Sequence, residues 1–122
     1  MRVEGPGKYI LPDDMEGDLT IKGEDIVFYG NFQQIHGKMY VSGKNITIYD
    51  CIVAPPPTEN FTESVILKDC HNVLLSNVKV ESPVPLDYFA TCSPDTDVQF
   101  ANCRFNGELF DDPPESKHIQ RC

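Results

Sequence analysis

The chain lacks the features that mark a helical, membrane-spanning or nucleic-acid-binding protein. No window places apolar residues at i, i+3, i+4 and i+7 over three turns, so helix is not the organising element. No run approaches the roughly 18 apolar residues of a bilayer-spanning helix. The opening Met1-Arg2-Val3-Glu4-Gly5-Pro6 has no apolar signal-peptide core, and a cytoplasmic or virion-associated location is expected. Basic residues are scarce: 10 Lys and Arg stand against 19 Asp and Glu, a formal charge of −9. A phosphate-backbone binder needs a basic stripe to release counterions, so neither direct nucleic-acid binding nor a membrane partner is expected.

Paired-residue chemistry is also missing. Five cysteines, Cys51, Cys70, Cys92, Cys103 and Cys122, are an odd number, so they cannot all pair within one chain. No C-x-x-C spacing occurs, and Cys70-His71, Cys92, His118 and Cys122 are soft-ligand types without zinc-site spacing. The reading is buried free thiols, or one disulfide where the environment oxidises, with no metal and no cofactor. The triplets at Asn45 and Asn60 read as chance matches to a glycosylation signal. His36, His71 and His118 have no recurring nucleophile partner, and no glycine-rich loop leads into a helix. No catalytic residue is expected.

What is present is turn chemistry and a repeat. Ten prolines and eight glycines in 122 residues favour turn-rich β structure in a single domain. Four segments superpose: 25–30, 45–50, 72–77 and 97–102. Each reads Asp or Asn, aliphatic, variable, large apolar, variable, then Gly, Asp or Asn. Their starts lie 20, 27 and 25 residues apart, which suits a solenoid whose turns share a core and differ in one loop. Period-2 alternation turns Ile26, Phe28, Ile48 and Leu75 inward and Val27, Thr47, Leu74 and Gln99 outward.

A second strand follows each corner, as Cys51-Ile52-Val53, Val78-Lys79-Val80 and Cys103-Arg104-Phe105. A third precedes each repeat, as Leu19-Thr20-Ile21, Met39-Tyr40-Val41, Val65-Ile66-Leu67 and Phe89-Ala90-Thr91. Loops at 33–37, 54–63 and 81–87 absorb the irregular spacing. The first repeat fits worst, and a bulge at Gly30-Asn31 is expected to turn Phe32 inward. Gly30, Asp50, Asn77 and Asn102 are expected to form one corner column. Cys51 and Cys103 should share an inward column with Val78 between them, about 10 Å apart and too far for a disulfide. The expected fold is all-β, a right-handed parallel β-helix of about four coils, with 1–17 and 108–122 capping its ends.

From Gly5-Pro6-Gly7-Lys8-Tyr9-Ile10-Leu11 through the repeat at 25–30 and on to Gly107, the chain resembles the pectin-lyase-like superfamily of right-handed parallel β-helices. That resemblance implies architecture, and a site on the outer face of the lane holding Thr20, Lys22, Tyr40, Ser42, Ile66, Lys68 and Ala90. The lane has no stacked carboxylate pair. The acidic cluster, Gly-His-Gly and Arg-x-Lys pattern of related polygalacturonases have no counterpart. Asp69, Asp87, Asp95 and Asp97 read as turn acids.

The other outward positions are more suggestive. Tyr29 and Tyr49 should stack, with Val27, Thr47 and Leu74 alongside and Phe32 or Ile52 round the corner, unless Leu109-Phe110 folds over them. A contiguous exposed apolar patch marks a partner surface. The leading expectation is a non-enzymatic binding or assembly module, viral or phage in character, with a protein partner or self-association. Alternatives are a minimal polysaccharide-binding or polysaccharide-cleaving protein, and an acidic inhibitor masking a nucleic-acid-binding partner. The acids at Asp13, Asp14, Glu16, Asp18, Glu108, Asp111, Asp112 and Glu115 serve solubility on the simplest reading.

Overall fold

The computed structural model describes residues 2–54, 65–81, 90–93 and 96–105, and the backbone of strands 108–110 and 119–121. The expectations for the loops 55–64 and 82–89, for Asp87, Asp95, His118 and Cys122, and for the side chains of Leu109 and Phe110 lie outside the described residues. The fold is all-β, and among the described residues there is no helix, hence none long and apolar enough to cross a membrane.

Successive passes of the chain lay down matching strands. The first gives β1 (Arg2–Glu4), β2 (Gly7–Ile10) and β3 (Met15–Glu16). The second gives β4 (Leu19–Tyr29) and β5 (Gln34–His36), the third β6 (Met39–Tyr49) and β7 (Ile52–Val53), the fourth β8 (Val65–Ser76) and β9 (Lys79–Val80). The fifth gives β10 (Ala90–Cys92), β11 (Val98–Ala101) and β12 (Cys103–Phe105), followed by β13 (Glu108–Phe110) and β14 (Ile119–Arg121). An eight-stranded sheet holds β1, β2, β4, β6, β8, β10, β11 and β14, and a six-stranded sheet runs β13-β12-β9-β7-β5-β3. Every pairing is parallel except β12 with β13.

The register is that of the sequence repeat. Ile26, Ile46, Val73 and Val98 lie across from one another on neighbouring strands, as do Phe28, Ile48, Leu75 and Phe100. Val3, Ile21, Val41, Leu67 and Cys92 make a third column, and Ile35, Val53, Val80 and Phe105 a fourth on the smaller sheet. Each of these side chains is buried. Residues 2–16, within the segment 1–17 expected to cap the stack, pair in register with the next pass: Val3 with Ile21, Tyr9 with Phe28 and Met15 with Ile35. The Tyr9 hydroxyl donates to the carbonyl of Glu4 at 3.1 Å.

The bends are built by Asp and Asn in the left-handed conformation, which these residues tolerate better than other side chains. Asp25, Asn45 and Asn72 (φ 57, 56 and 57°) turn the long strands midway, and Asp50, Asn77 and Asn102 (φ 55, 57 and 53°) turn the chain onto the smaller sheet. Their side chains are laddered. Asn45 Nδ2 donates to Asp25 Oδ1 at 3.1 Å, Asn72 Nδ2 to Asn45 Oδ1 at 2.7 Å and Asn77 Nδ2 to Asp50 Oδ1 at 2.8 Å. Two acids near the N-terminus also bond the next pass: Asp14 accepts from the Gln34 amide and Asp18 from the Lys38 amide.

Three local expectations are corrected. Gly30 is in the corner column but not left-handed; Asn31 and Phe32 (φ 56 and 58°) are, in a turn closed by the Gln33 amide on the Gly30 carbonyl. Two positive φ values in succession are the pattern of a type I′ turn. Phe32 therefore points outward, 58% exposed, rather than inward. The cause is length: Gln34 pairs with Ile52, so this corner has two more residues than the next, and the surplus is looped out. Gly30 then sits against Cys51, whose Sγ would lie 2.6 Å from an added Cβ. Second, 34–36 is not loop but β5, with Ile35 taking the inward seat. Third, Ala90 pairs with Val65 and is buried, so Thr91 is the outward residue of its strand. A one-residue slip exchanges the two faces.

Two pairs of substitutions test the stack. Gly43 (φ 137°) has the Gly23 carbonyl where a side chain would go. Gly43→Ala is expected to lower unfolding free energy by more than about 3 kcal/mol, whereas Gly5→Ala, with open space at its Cβ, should lose about 1–2 kcal/mol. Asn45→Ala should lose about 2 kcal/mol, and Asn45→Gly clearly less, because glycine keeps the backbone conformation and loses only the ladder bonds. Urea denaturation of the four variants measures this; equal losses within either pair would contradict the geometry.

Candidate functional site

Because inward positions are committed to the core, any site must be made of outward side chains, which stack in columns about 4.8 Å apart. On the second half of the long strands, Lys8, Val27, Thr47, Leu74 and Gln99 make one column, and Ile10, Tyr29, Tyr49, Ser76 and Ala101 the next. The rings of Tyr29 and Tyr49 stack with centroids 5.2 Å apart and planes at 14°. Such a pair contributes about 0.5–1.5 kcal/mol beyond area burial.

Val27, Tyr29, Thr47, Tyr49 and Leu74 are all half-buried on this face. Ile10, 63% exposed, extends it in register with Tyr29. Ile10 was not among the expected residues, although Lys8-Tyr9-Ile10 has the alternation of Val27-Phe28-Tyr29. Ile52 is half-buried on the smaller sheet between Gln34 and Lys79. Its strand neighbours are polar, so it does not continue the aromatic face. Phe32 projects at the corner between them.

The first half of the long strands carries a second surface. Here Thr20, Tyr40 and Ile66 form one outward column, and Glu4, Lys22 and Ser42 another that Lys68 continues. The register shifts between Val41 and Gly43, which pair with Leu67 and Cys70, so β8 has one residue more, Lys68-Asp69 facing Ser42. Lys22, Tyr40 and Lys68 of the expected lane line a concavity of about 340 Å³ with Thr20, Ser42, Ile66 and the acid Asp69. Neither lysine ammonium has an ion-pair partner among the described residues, while Glu4 is engaged with Arg2.

The thiols belong to the interior. Cys51, Cys70, Cys92 and Cys103 are buried and form no disulfide. Cys51 and Cys103 flank Val78 in one inward column, as the repeat implied. Cys92 pairs with Leu67 and Cys70 with Gly43, which places them at different positions along β8. The Cys70 thiol donates to the Val41 carbonyl at 3.3 Å and the Cys103 thiol to the Leu75 carbonyl at 3.4 Å. Burial, reinforced by the Asp50 carboxylate, pushes the Cys51 thiol up to about 12, and burial pushes Cys70 up to about 11. Among the described residues no three His, Cys, Asp or Glu side chains converge as a metal site would require.

Compared with protein-family models, curated proteins and solved structures, the chain gives no match in any of the three.

The raised thiols have two measurable consequences. Alkylation at pH 8 followed by peptide mass analysis should leave Cys51, Cys70, Cys92 and Cys103 unmodified in the folded protein and modify all four in urea; rapid native labelling of Cys51 would contradict its burial. Well below pH 9 the Cys51 and Cys70 thiols are protonated whether folded or not and do not tilt the balance. Above pH 9 the unfolded chain releases protons that the folded chain holds, so stability should fall from about pH 9 towards about pH 12. Cys51→Ala should flatten that fall in an alkaline denaturation series.

Proposed function

We propose that the chain is a right-handed parallel β-helix acting as a non-enzymatic protein-binding module through the face of Ile10, Tyr29, Tyr49, Val27 and Leu74. The architecture is supported by five passes paired in parallel with matched columns, and parallel crossovers are right-handed in nearly all proteins. The same stacking supports the likeness to pectin-lyase-like helices in architecture.

The function rests on one observation: the stacked Tyr29–Tyr49 pair lies on a face that also carries Val27 and Leu74 and ends in an Ile10 that is 63% exposed. In-register parallel strands make a ladder of side chains with little concavity. That suits a flat protein surface better than a small ligand, which needs enclosure. Tyrosine is also enriched at interface centres, where it gives a large contact at low entropic cost. Lys8 and Gln99, at the two ends of the column through Val27 and Leu74, supply polar edges.

Placing a charge on this face should remove binding without unfolding the chain. Tyr49→Lys and Ile10→Lys are expected to lose the proteins that the wild-type chain captures, or the dimer that light scattering detects where the partner is a second copy. Lys79→Gln, on the smaller sheet, should keep them. A partner retained by both face variants, with all three chains melting cooperatively, would exclude this face.

A further inference from the structure

We propose that the concavity between Lys22 and Lys68 binds one compact oxyanion, a phosphate, sulfate or carboxylate, carried on a flat or apolar body. This goes beyond the protein-binding face and does not depend on it.

The parallel register places Lys22, Ser42 and Lys68 outward on three successive strands. The two lysine backbones are thus about 10 Å apart, twice the strand spacing. Their four-carbon stems are long enough to lean together over the Ser42 hydroxyl, which completes a set of donors for a single oxyanion. Neither ammonium has an ion-pair partner among the described residues, in a chain with 19 acids. The acid in register with Lys22 is Glu4, and it is paired with Arg2. Asp69 is the extra residue where β8 shifts register, and its left-handed backbone (φ 52°) turns the chain there. Asp69 also lines the concavity, but among the described residues neither lysine is ion-paired with it, so the two cations repel each other and an anion between them relieves that repulsion.

The body of the ligand follows from the neighbouring column. Thr20, Tyr40 and Ile66 offer a methyl, a ring and an aliphatic chain beside the lysines. A volume of about 340 Å³ is at the small end of ligand sites. The column also argues against an extended polyanion. Beyond Lys22 the next residue in register is Glu4, so a charged polymer following the stack would meet a carboxylate, inside the long-range repulsion of a chain at −9.

Titration of the full chain with phenyl phosphate, followed by calorimetry and by NMR shifts of the lysine side chains, tests this. Saturable binding at one site is expected, with inorganic phosphate weaker by about tenfold because it leaves Tyr40 and Ile66 uncovered. Lys22→Gln and Lys68→Gln should each weaken phenyl phosphate about tenfold. Lys44→Gln, which removes the same charge outside the concavity, should leave it unchanged. The assignment fails if phenyl phosphate does not saturate, or if the three variants weaken it equally. It fails too if poly-glutamate binds as tightly through the same lysines.

Discussion

The structure depends on one constraint: equivalent residues of successive passes must lie over one another at the strand spacing. Within that stack the neighbour of each side chain is its own counterpart, Ile46 between Ile26 and Val73, Ile48 between Phe28 and Leu75. Each apolar column is dry only if all its members are apolar, because a slip of one residue would bring Thr47 or Lys79 inward. Hydrophobic burial sets the face that points in. It does not by itself fix where the strand bends. That is done by the left-handed residues, which turn at the same place on each pass and bond to one another through the side chains of Asp25, Asn45 and Asn72.

These two ladders divide the work. The apolar columns contribute most of the driving force, at about 25 cal/mol per Å² of apolar surface removed from water. The Asp and Asn columns contribute specificity, since left-handed backbone costs an ordinary residue about 1–2 kcal/mol and is therefore stable only where such a side chain, or glycine, stands. Glycine takes this role at the mid-strand bend in Gly23 and Gly43, and at Gly43 the Gly23 carbonyl leaves no room for a Cβ. The buried thiols fit the same logic. Cys51, Cys70 and Cys103 are small, sit among apolar neighbours, and donate to a carbonyl within or across passes.

Most of the stack was legible in the sequence because alternation and the recurring Asp or Asn are both local signals with fixed spacing. The columns through Ile26, Phe28 and Cys51, and the outward places of Val27, Tyr29, Thr47, Tyr49 and Leu74, follow from counting along the repeat. The failures share a cause. At Gly30–Gln33 two surplus residues can be absorbed by bulging a side chain in or by looping a turn out, and periodicity does not distinguish them. Three-dimensional fit against Cys51 does, and it favours the type I′ turn that leaves Phe32 in water. At 89–91 a single residue of register decided between Ala90 and Thr91, and only pairing with Val65 resolves it. Residues 2–16 carry the same alternation in short pieces without the Asp or Asn marker, so their membership of the stack became visible only through their partners on β4 and β5.

The two candidate surfaces differ because the repeat is broken in one and intact in the other. Where β2, β4, β6 and β8 run in strict register past Lys8, Val27, Thr47 and Leu74, side chains of similar height produce a level face, and level faces meet other proteins. Where β8 carries the additional Asp69, the ladder is interrupted between Val41 and Gly43. A bulge of this kind re-aims the side chains beside it and increases local twist. The concavity of Lys22, Tyr40 and Lys68 lies at that interruption. A perfect solenoid would have columns and no pocket. Enclosure for a small ligand therefore requires a departure from the repeat, and the one-residue departure in β8 occurs beside two lysines that have no ion-pair partner among the described residues.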